Sequence, residues 1–192
     1  MLIKFAVKNF RGFAERIEWD LSHPSNYSFN TYAVKDGVIK NGIIYGPNGS
    51  GKTNFSVALF DIVNHLTQKS KKPDYYQNFV YGGDSNLNVD FEYTFKFDDQ
   101  TIEYKYSKNV FGALVKEALI VDATVIFKRR IGALELNEQQ FPINKDAKRN
   151  LQINANSISI VNYLLTSYPL AHDHYLIQMR NFVDSMLWFR CL

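Results

Sequence analysis

The chain has 192 residues, 46% of them hydrophobic and 15% aromatic, which suits one domain with a sizeable core and excludes a disordered chain. Its formal charge of +3 is too small to mark a nucleic-acid binder by itself. The single cysteine, Cys191, excludes an internal disulfide and fits a reducing cytoplasm, no apolar run is long enough to span a membrane, and Lys4 and Lys8 break the apolar start before any secretory signal could form.

Residues 2–10 alternate, with Ile3, Phe5 and Val7 on one face and Lys4 and Lys8 on the other, and predict a half-buried strand. Asn9-Phe10-Arg11-Gly12-Phe13 ends it in a turn, and residues 16–21 predict a strand returning beside it. Residues 22–30, with Pro24 and several Ser and Asn, read as a loop; 31–34 predict a short strand, and Asp36-Gly37 a turn. The apolar run Gly42-Ile43-Ile44-Tyr45 predicts a buried strand.

That run leads into Gly46-Pro47-Asn48-Gly49-Ser50-Gly51-Lys52-Thr53, which matches G-x-x-x-x-G-K-[ST] without a mismatch. Residues 54–66 follow as a predicted helix, with Phe55, Ala58, Leu59, Ile62, Val63 and Leu66 on one face. Strand, glycine loop and helix form the context the motif requires. The chemistry follows from residue type. Gly46, Gly49 and Gly51 let the backbone approach a ligand closely. The loop amides and the helix amino end then attract an anion. Lys52 reaches β- and γ-phosphates, and the Thr53 hydroxyl is the expected magnesium ligand. The candidate cofactor-binding residues are therefore Asn48, Gly49, Ser50, Gly51, Lys52, Thr53 and Asn54, with ATP and Mg2+ as the expected cofactors and no catalytic side chain assigned.

Residues 68–85 are polar and basic, with Pro73 and Gly82-Gly83, and predict a long connection, either mobile or ligand-facing. Residues 87–97 alternate through Val89, Phe91, Tyr93, Phe95 and Phe97, a clear strand, and 101–107 return with Ile102, Tyr104 and Tyr106 on one face. Residues 115–121 and 124–130 pair around Asp122-Ala123, with weaker strand candidates at 133–136 and 141–143. This block predicts antiparallel sheet, in contrast to a βαβ core around the loop. From residue 155 the period changes to helical: Ile158, Val161, Leu164 and Leu165 predict one helix, and Leu176, Met179, Val183, Met186 and Leu187 another.

The opening Leu2-Ile3-Lys4-Phe5-Ala6-Val7-Lys8-Asn9-Phe10-Arg11-Gly12-Phe13, followed by the Pro-Asn-Gly form of the phosphate loop, resembles SMC/RecF-type ABC ATPases, and within them the OLD-like phage-defence ATPases. The resemblance implies an α/β P-loop NTPase core of the ABC-head kind with an antiparallel β-subdomain and C-terminal helices. It divides one N-terminal head fragment, 1–192, into the strand pair, loop and first helix (1–68), the β-subdomain (86–143) and a helical segment (155–192). It also implies ATP hydrolysis completed by a C-terminal half and a second head, coupled to DNA processing or an effector nuclease, and it brings Arg11 to the nucleotide phosphates or ribose. By residue type alone, Arg11 reads equally well as a surface turn arginine.

The sequence departs from that family in its second half: no Ser-Gly-Gly signature, no strand ending Asp-Glu and no switch histidine is present. The nearest acidic strand end, Leu119-Ile120-Val121-Asp122, is followed by Ala123 and reads as a hairpin turn. The chain alone is therefore expected to bind ATP and turn it over slowly. One alternative is a nucleotide-gated interaction module without hydrolysis; another is a compact P-loop kinase or GTPase using Asp122 on magnesium. Asn144-Lys145-Asp146 lacks a residue of the guanine-reading motif, His172-Asp173-His174 reads as a solvated helix start rather than a metal pair, and the basic clusters at 69–72, 128–130 and 145–149 read as solvated loops and strand ends.

Overall fold

The computed structural model describes residues 1–25, 30–67, 73–140 and 159–187. In chain order the strands and α-helices are β1 (Leu2–Lys8), β2 (Ile17–Asp20), β3 (Val34–Lys35), β4 (Val38–Ile39), α1 (Lys52–Leu59), α2 (Asp61–Leu66), β5 (Val89–Phe97), β6 (Gln100–Lys108), β7 (Leu114–Val121), β8 (Thr124–Arg130), β9 (Ala133–Leu136), α3 (Ile160–Ser167) and α4 (Tyr175–Ser185). Seven strands form one sheet in the order β2-β1-β5-β6-β7-β8-β9, every neighbouring pair antiparallel; β3 and β4 make a separate small hairpin. The fold is mixed α/β with an antiparallel sheet, and the helices cover one face of it.

Alternation explains that single covered face. Val89, Phe91, Tyr93 and Phe95 are buried along β5, as are Ile102, Tyr104 and Tyr106 on β6, and Leu119 and Phe127 beyond them. Their rings stack across and along the strands: Phe91 of β5 on Tyr106 of β6 at 5.1 Å, and Tyr93 on Phe95 along β5 at 6.3 Å. Phe55, Ala58, Ile62 and Leu66 from α1 and α2, Val161 and Leu164 from α3, and Leu176, Met179 and Val183 from α4 close the core over them.

Three sequence expectations are corrected. The described sheet contains no parallel pair, so β1 and β2 do not belong to a separate βαβ core; β1 hydrogen-bonds directly to β5 and the two parts share one sheet. The register shifts between Leu2 and Lys4, so Leu2 rather than Ile3 joins the core, and Ile3 lies with Lys4 and Arg16 on the outer face. Residues 42–45 form no strand pairing and are exposed, Ile43 at 89% and Tyr45 at 91%. An apolar run favours burial but does not supply a neighbouring strand. Beside this run stands the Trp19 ring, so close to Gly42 that a Cβ there would meet it at 2.6 Å.

The expected helix at 54–66 starts at Lys52 and breaks at Phe60, whose φ of −87° and ψ of 2° leave the helical range. Asp61 directly after the break is fully buried; it accepts from Tyr75 and Tyr106 hydroxyls at 2.7 and 2.8 Å and from the buried Lys108 ammonium at 2.5 Å. The segment at 31–34 is one turn of 3-10 helix leading into β3 rather than a strand. The strand expected at 141–143 and the basic residues at 69–72 and 145–149 lie outside the described residues.

Candidate functional site

The phosphate-loop sequence is a folded turn joined to a helix start. Ser50 N–H donates to Pro47 O at 3.3 Å, Gly49 and Gly51 take φ of +82° and +92°, and Gly51 is the N-cap of α1, its carbonyl accepting from Phe55 N–H at 2.9 Å. Those φ values are strained for any residue with a Cβ. Two more constraints keep the loop tight. A Cβ on Gly46 would lie 2.9 Å from Ser50 Oγ, and one on Gly51 would lie 2.7 Å from the Phe13 ring. The Lys52 ammonium folds back over the loop and donates to Gly46 O at 2.6 Å and Pro47 O at 2.8 Å. Asn48, Gly49 and Ser50 are exposed in the loop, and Thr53 is exposed on the first turn of α1. A helix amino end, an ammonium and a hydroxyl thus meet in one accessible turn, a donor set suited to a phosphate chain and its magnesium ion.

The turn after β1 stands against this loop: Phe13 over Gly51, and Gly12 beside Asn54, where a Cβ would lie 3.6 Å from the Asn54 amide nitrogen. Arg11 sits there at φ +49°. Its backbone N–H donates to Phe79 O at 3.0 Å, one guanidinium nitrogen donates to Tyr75 O at 3.4 Å, and the group lies 5.4 Å from the Phe10 ring centre. Its Nε is buried without a hydrogen-bond partner among the described residues. Arg11 and Asn54 line a cleft of about 460 Å³ with Gln77, Asn78 and the pair Gly82–Gly83. Tyr81 N–H to Asn9 O at 2.9 Å and the Phe10–Val80 bridge fix the far wall to β1. Tyr75 is held in turn by Asp61; burial first and the Asp61 charge second push its hydroxyl far above the ordinary tyrosine range, so it stays a donor. On the other side of the loop lies an apolar recess of about 400 Å³ lined by Phe13, Trp19, Tyr45 and Phe55.

All eight sequence-predicted site residues are therefore neighbours, Arg11 beside the loop rather than on a remote surface. The opposite wall, Gln77 and Asn78, lies in the 68–85 connection, where the sequence reading assigned neither residue to the site. Its only local signal was a polar stretch ahead of a glycine pair, because a hydrogen-bonded return to β1 leaves no periodicity.

Asp122 is elsewhere. β1 and β7 run in opposite directions, so Asp122 at the end of β7 and Gln100 at the start of β6 lie at the end of the sheet away from the Arg11–Phe13 turn. Asp122 has φ +47°, and its carboxylate accepts from Thr101 N–H at 2.8 Å across the hairpin. This corrects the compact kinase or GTPase alternative, which required Asp122 at the loop. Of the basic triplet 128–130, Lys128 and Arg130 are exposed but Arg129 is buried against Glu117, a correction discussed below. Among the described residues no three His, Cys, Asp or Glu side chains cluster as a metal site, and no helix is long and apolar enough to cross a membrane.

His174 Nδ1 caps α4 by accepting from Leu176 N–H at 3.2 Å. Burial lowers its pKa from the ordinary 6.5, against a smaller upward pull from Asp173. The native state therefore prefers the neutral ring, and this stabilisation is complete above the ordinary value and lost as pH falls through the depressed one. Acidification from about pH 7.5 to about pH 5.5 should therefore lower the melting temperature, and His174→Asn, a cap without a titrating ring, should flatten the decline. An unchanged acid slope in His174→Asn rejects the assignment.

Comparison of the chain with protein-family models gives no match, and comparison with curated proteins gives none.

Proposed function

We propose that this chain binds Mg-ATP as the N-terminal part of an SMC/RecF-like ATPase head, with the loop at 46–53 as its P-loop. The observation that carries the reading is the packing of Phe13 on Gly51. It joins two motifs far apart in sequence, the Asn-Phe-Arg-Gly-Phe turn and the glycine loop, at one anion-attracting helix start. Amides of the loop and the amino end of α1 hold the phosphates, Lys52 turns from the Gly46 and Pro47 carbonyls to the β- and γ-oxygens, and Thr53 Oγ1 would hold magnesium. Magnesium supplies charge neutralisation on the phosphate oxygens when bound.

On this reading, the exposed apolar run at 42–45 is a surface that a C-terminal half would cover. The same half, with a second head, supplies the signature segment and the catalytic carboxylate. Coupling to DNA processing or an effector nuclease belongs to the proposal through the resemblance alone. The chain by itself should then bind Mg-ATP in calorimetry and release phosphate far more slowly than the ~10 s⁻¹ typical of enzymes. Brisk phosphate release in a malachite-green assay overturns the divided-site reading. Absence of any binding to ATP with magnesium overturns the whole proposal.

A second reading draws on the exposure of Ile43 and Tyr45. Here the chain is a nucleotide-gated docking module, and ATP changes its affinity for a partner chain without being hydrolysed.

A further inference from the structure

The loop accounts for a triphosphate but not for the rest of a nucleotide. Two recesses border it, and they differ in chemistry. The apolar one contains Phe13, Trp19 and Phe55, of which Trp19 and Phe55 already meet edge to face at 5.7 Å and belong to the edge of the core. The polar one is the cleft between the Arg11-Gly12 turn and the Gln77–Gly83 segment, and it touches the motif at Asn54, one residue beyond Thr53. Its volume, about 460 Å³, falls in the range of about 300–1,000 Å³ usual for small-molecule sites.

The lining of the cleft is specific in kind. Among the described residues Arg11 is the only ionisable one in it; the other functional groups are the neutral amides of Asn54, Gln77 and Asn78, with backbone at Gly12, Gly82 and Gly83. A second phosphate site would gather several cations. Three amides instead suit a neutral heterocycle with adjacent donors and acceptors, and the side-chain amide matches the N6–N7 edge of adenine in two hydrogen bonds. The Arg11 guanidinium, held on Tyr75 O at 3.4 Å, gives the cleft one positive charge at its edge. The backbone is built for this wall: Asn78 has φ +53°, Gly82 +62° and Gly83 +70°, and hydrogen bonds to Asn9 and Arg11 pin the segment in place. The two glycines take this conformation freely, and Asn78 is the one residue of the three with a Cβ held in it.

We infer that this cleft is the nucleoside subsite of the loop, with Gln77 and Asn78, aided by Asn54, selecting adenine. The inference rests on the P-loop reading and adds a specificity determinant that the glycine motif does not contain.

The test is calorimetric titration of the full chain with Mg-ATP, Mg-GTP and magnesium tripolyphosphate, the last of which has the phosphate chain and no nucleoside. Wild type should prefer ATP to both others by about tenfold or more, the effect of one or two net hydrogen bonds. Gln77→Ala with Asn78→Gly should bring all three ligands within about twofold; glycine keeps the positive φ at position 78, so the wall survives. Gly12→Leu, whose Cβ points at the Asn54 amide, should weaken ATP and spare tripolyphosphate. Lys52→Ala should weaken all three alike. Equal affinities in wild type overturn the subsite and leave the P-loop reading intact. So does a preference that survives Gln77→Ala with Asn78→Gly but disappears in Tyr45→Ala, which places the base in the apolar recess. If none of the three ligands binds, subsite and P-loop reading fall together.

Discussion

Lys52→Ala is expected to weaken Mg-ATP binding by about a hundredfold while leaving the melting temperature within experimental scatter of wild type. The two halves of that result have separate causes. A charged hydrogen bond contributes about 1.5–3 kcal/mol, and an ammonium placed between two phosphates makes more than one. Its present partners are the carbonyls of Gly46 and Pro47, both exposed, so water replaces the ammonium in the variant and the fold loses little. Gly51→Ala should not separate the two. Its Cβ would press into the Phe13 ring at 2.7 Å from a backbone at φ +92°, so both the melting temperature and ATP affinity should fall. Lys52→Ala with undiminished ATP affinity means that the ammonium does not face the ligand, and the loop is then a structural turn.

Much of this site was legible because its determinants are local. A glycine loop before a helical period needs only the order of residues, and the positive φ of Gly49 and Gly51 follows from that order. The alternation of residues 87–107 likewise reads directly as the β5–β6 hairpin, since period two and a turn at Asp98-Asp99 fix both strands. What failed was non-local. Residues 42–45 have the composition of a buried strand, but composition cannot name the neighbour that buries it. Lys108 and Glu117 are charged and yet buried: Lys108 shares its face with Ile102, Tyr104 and Tyr106, and Glu117 shares its face with Leu119 and Val121. Followed strictly, period two places both charges in the core. The general expectation that charged residues lie outside hid a signal that the strand pattern carried.

Glu117 shows what such a buried charge does. It is 1% exposed on β7, directly across from Arg129 on β8, with 3.1 Å between its Oε2 and the guanidinium. The same carboxylate accepts from the hydroxyls of Tyr104 at 2.8 Å and Ser159 at 2.7 Å, and from the backbone of Ile160 at 2.9 Å and Val161 at 3.3 Å. A side chain of the sheet thus satisfies the first amides of α3 and sets a negative charge at the positive end of that helix. Glu117→Ala should destabilise the chain by about 3–5 kcal/mol, because it leaves a buried guanidinium without its charge partner and orphans the helix amides. In a domain of ordinary stability, about 5–15 kcal/mol, that is enough to move the urea midpoint far down or unfold the chain at 37 °C. Most of the cost comes from the charge left behind, not from any large net gain of the pair. Glu117→Gln combined with Arg129→Met should therefore recover much of the loss: glutamine oxygen still accepts from Ile160, and no buried charge remains. A double variant as unstable as Glu117→Ala would show that the ion pair itself, rather than its imbalance, holds α3 to the sheet.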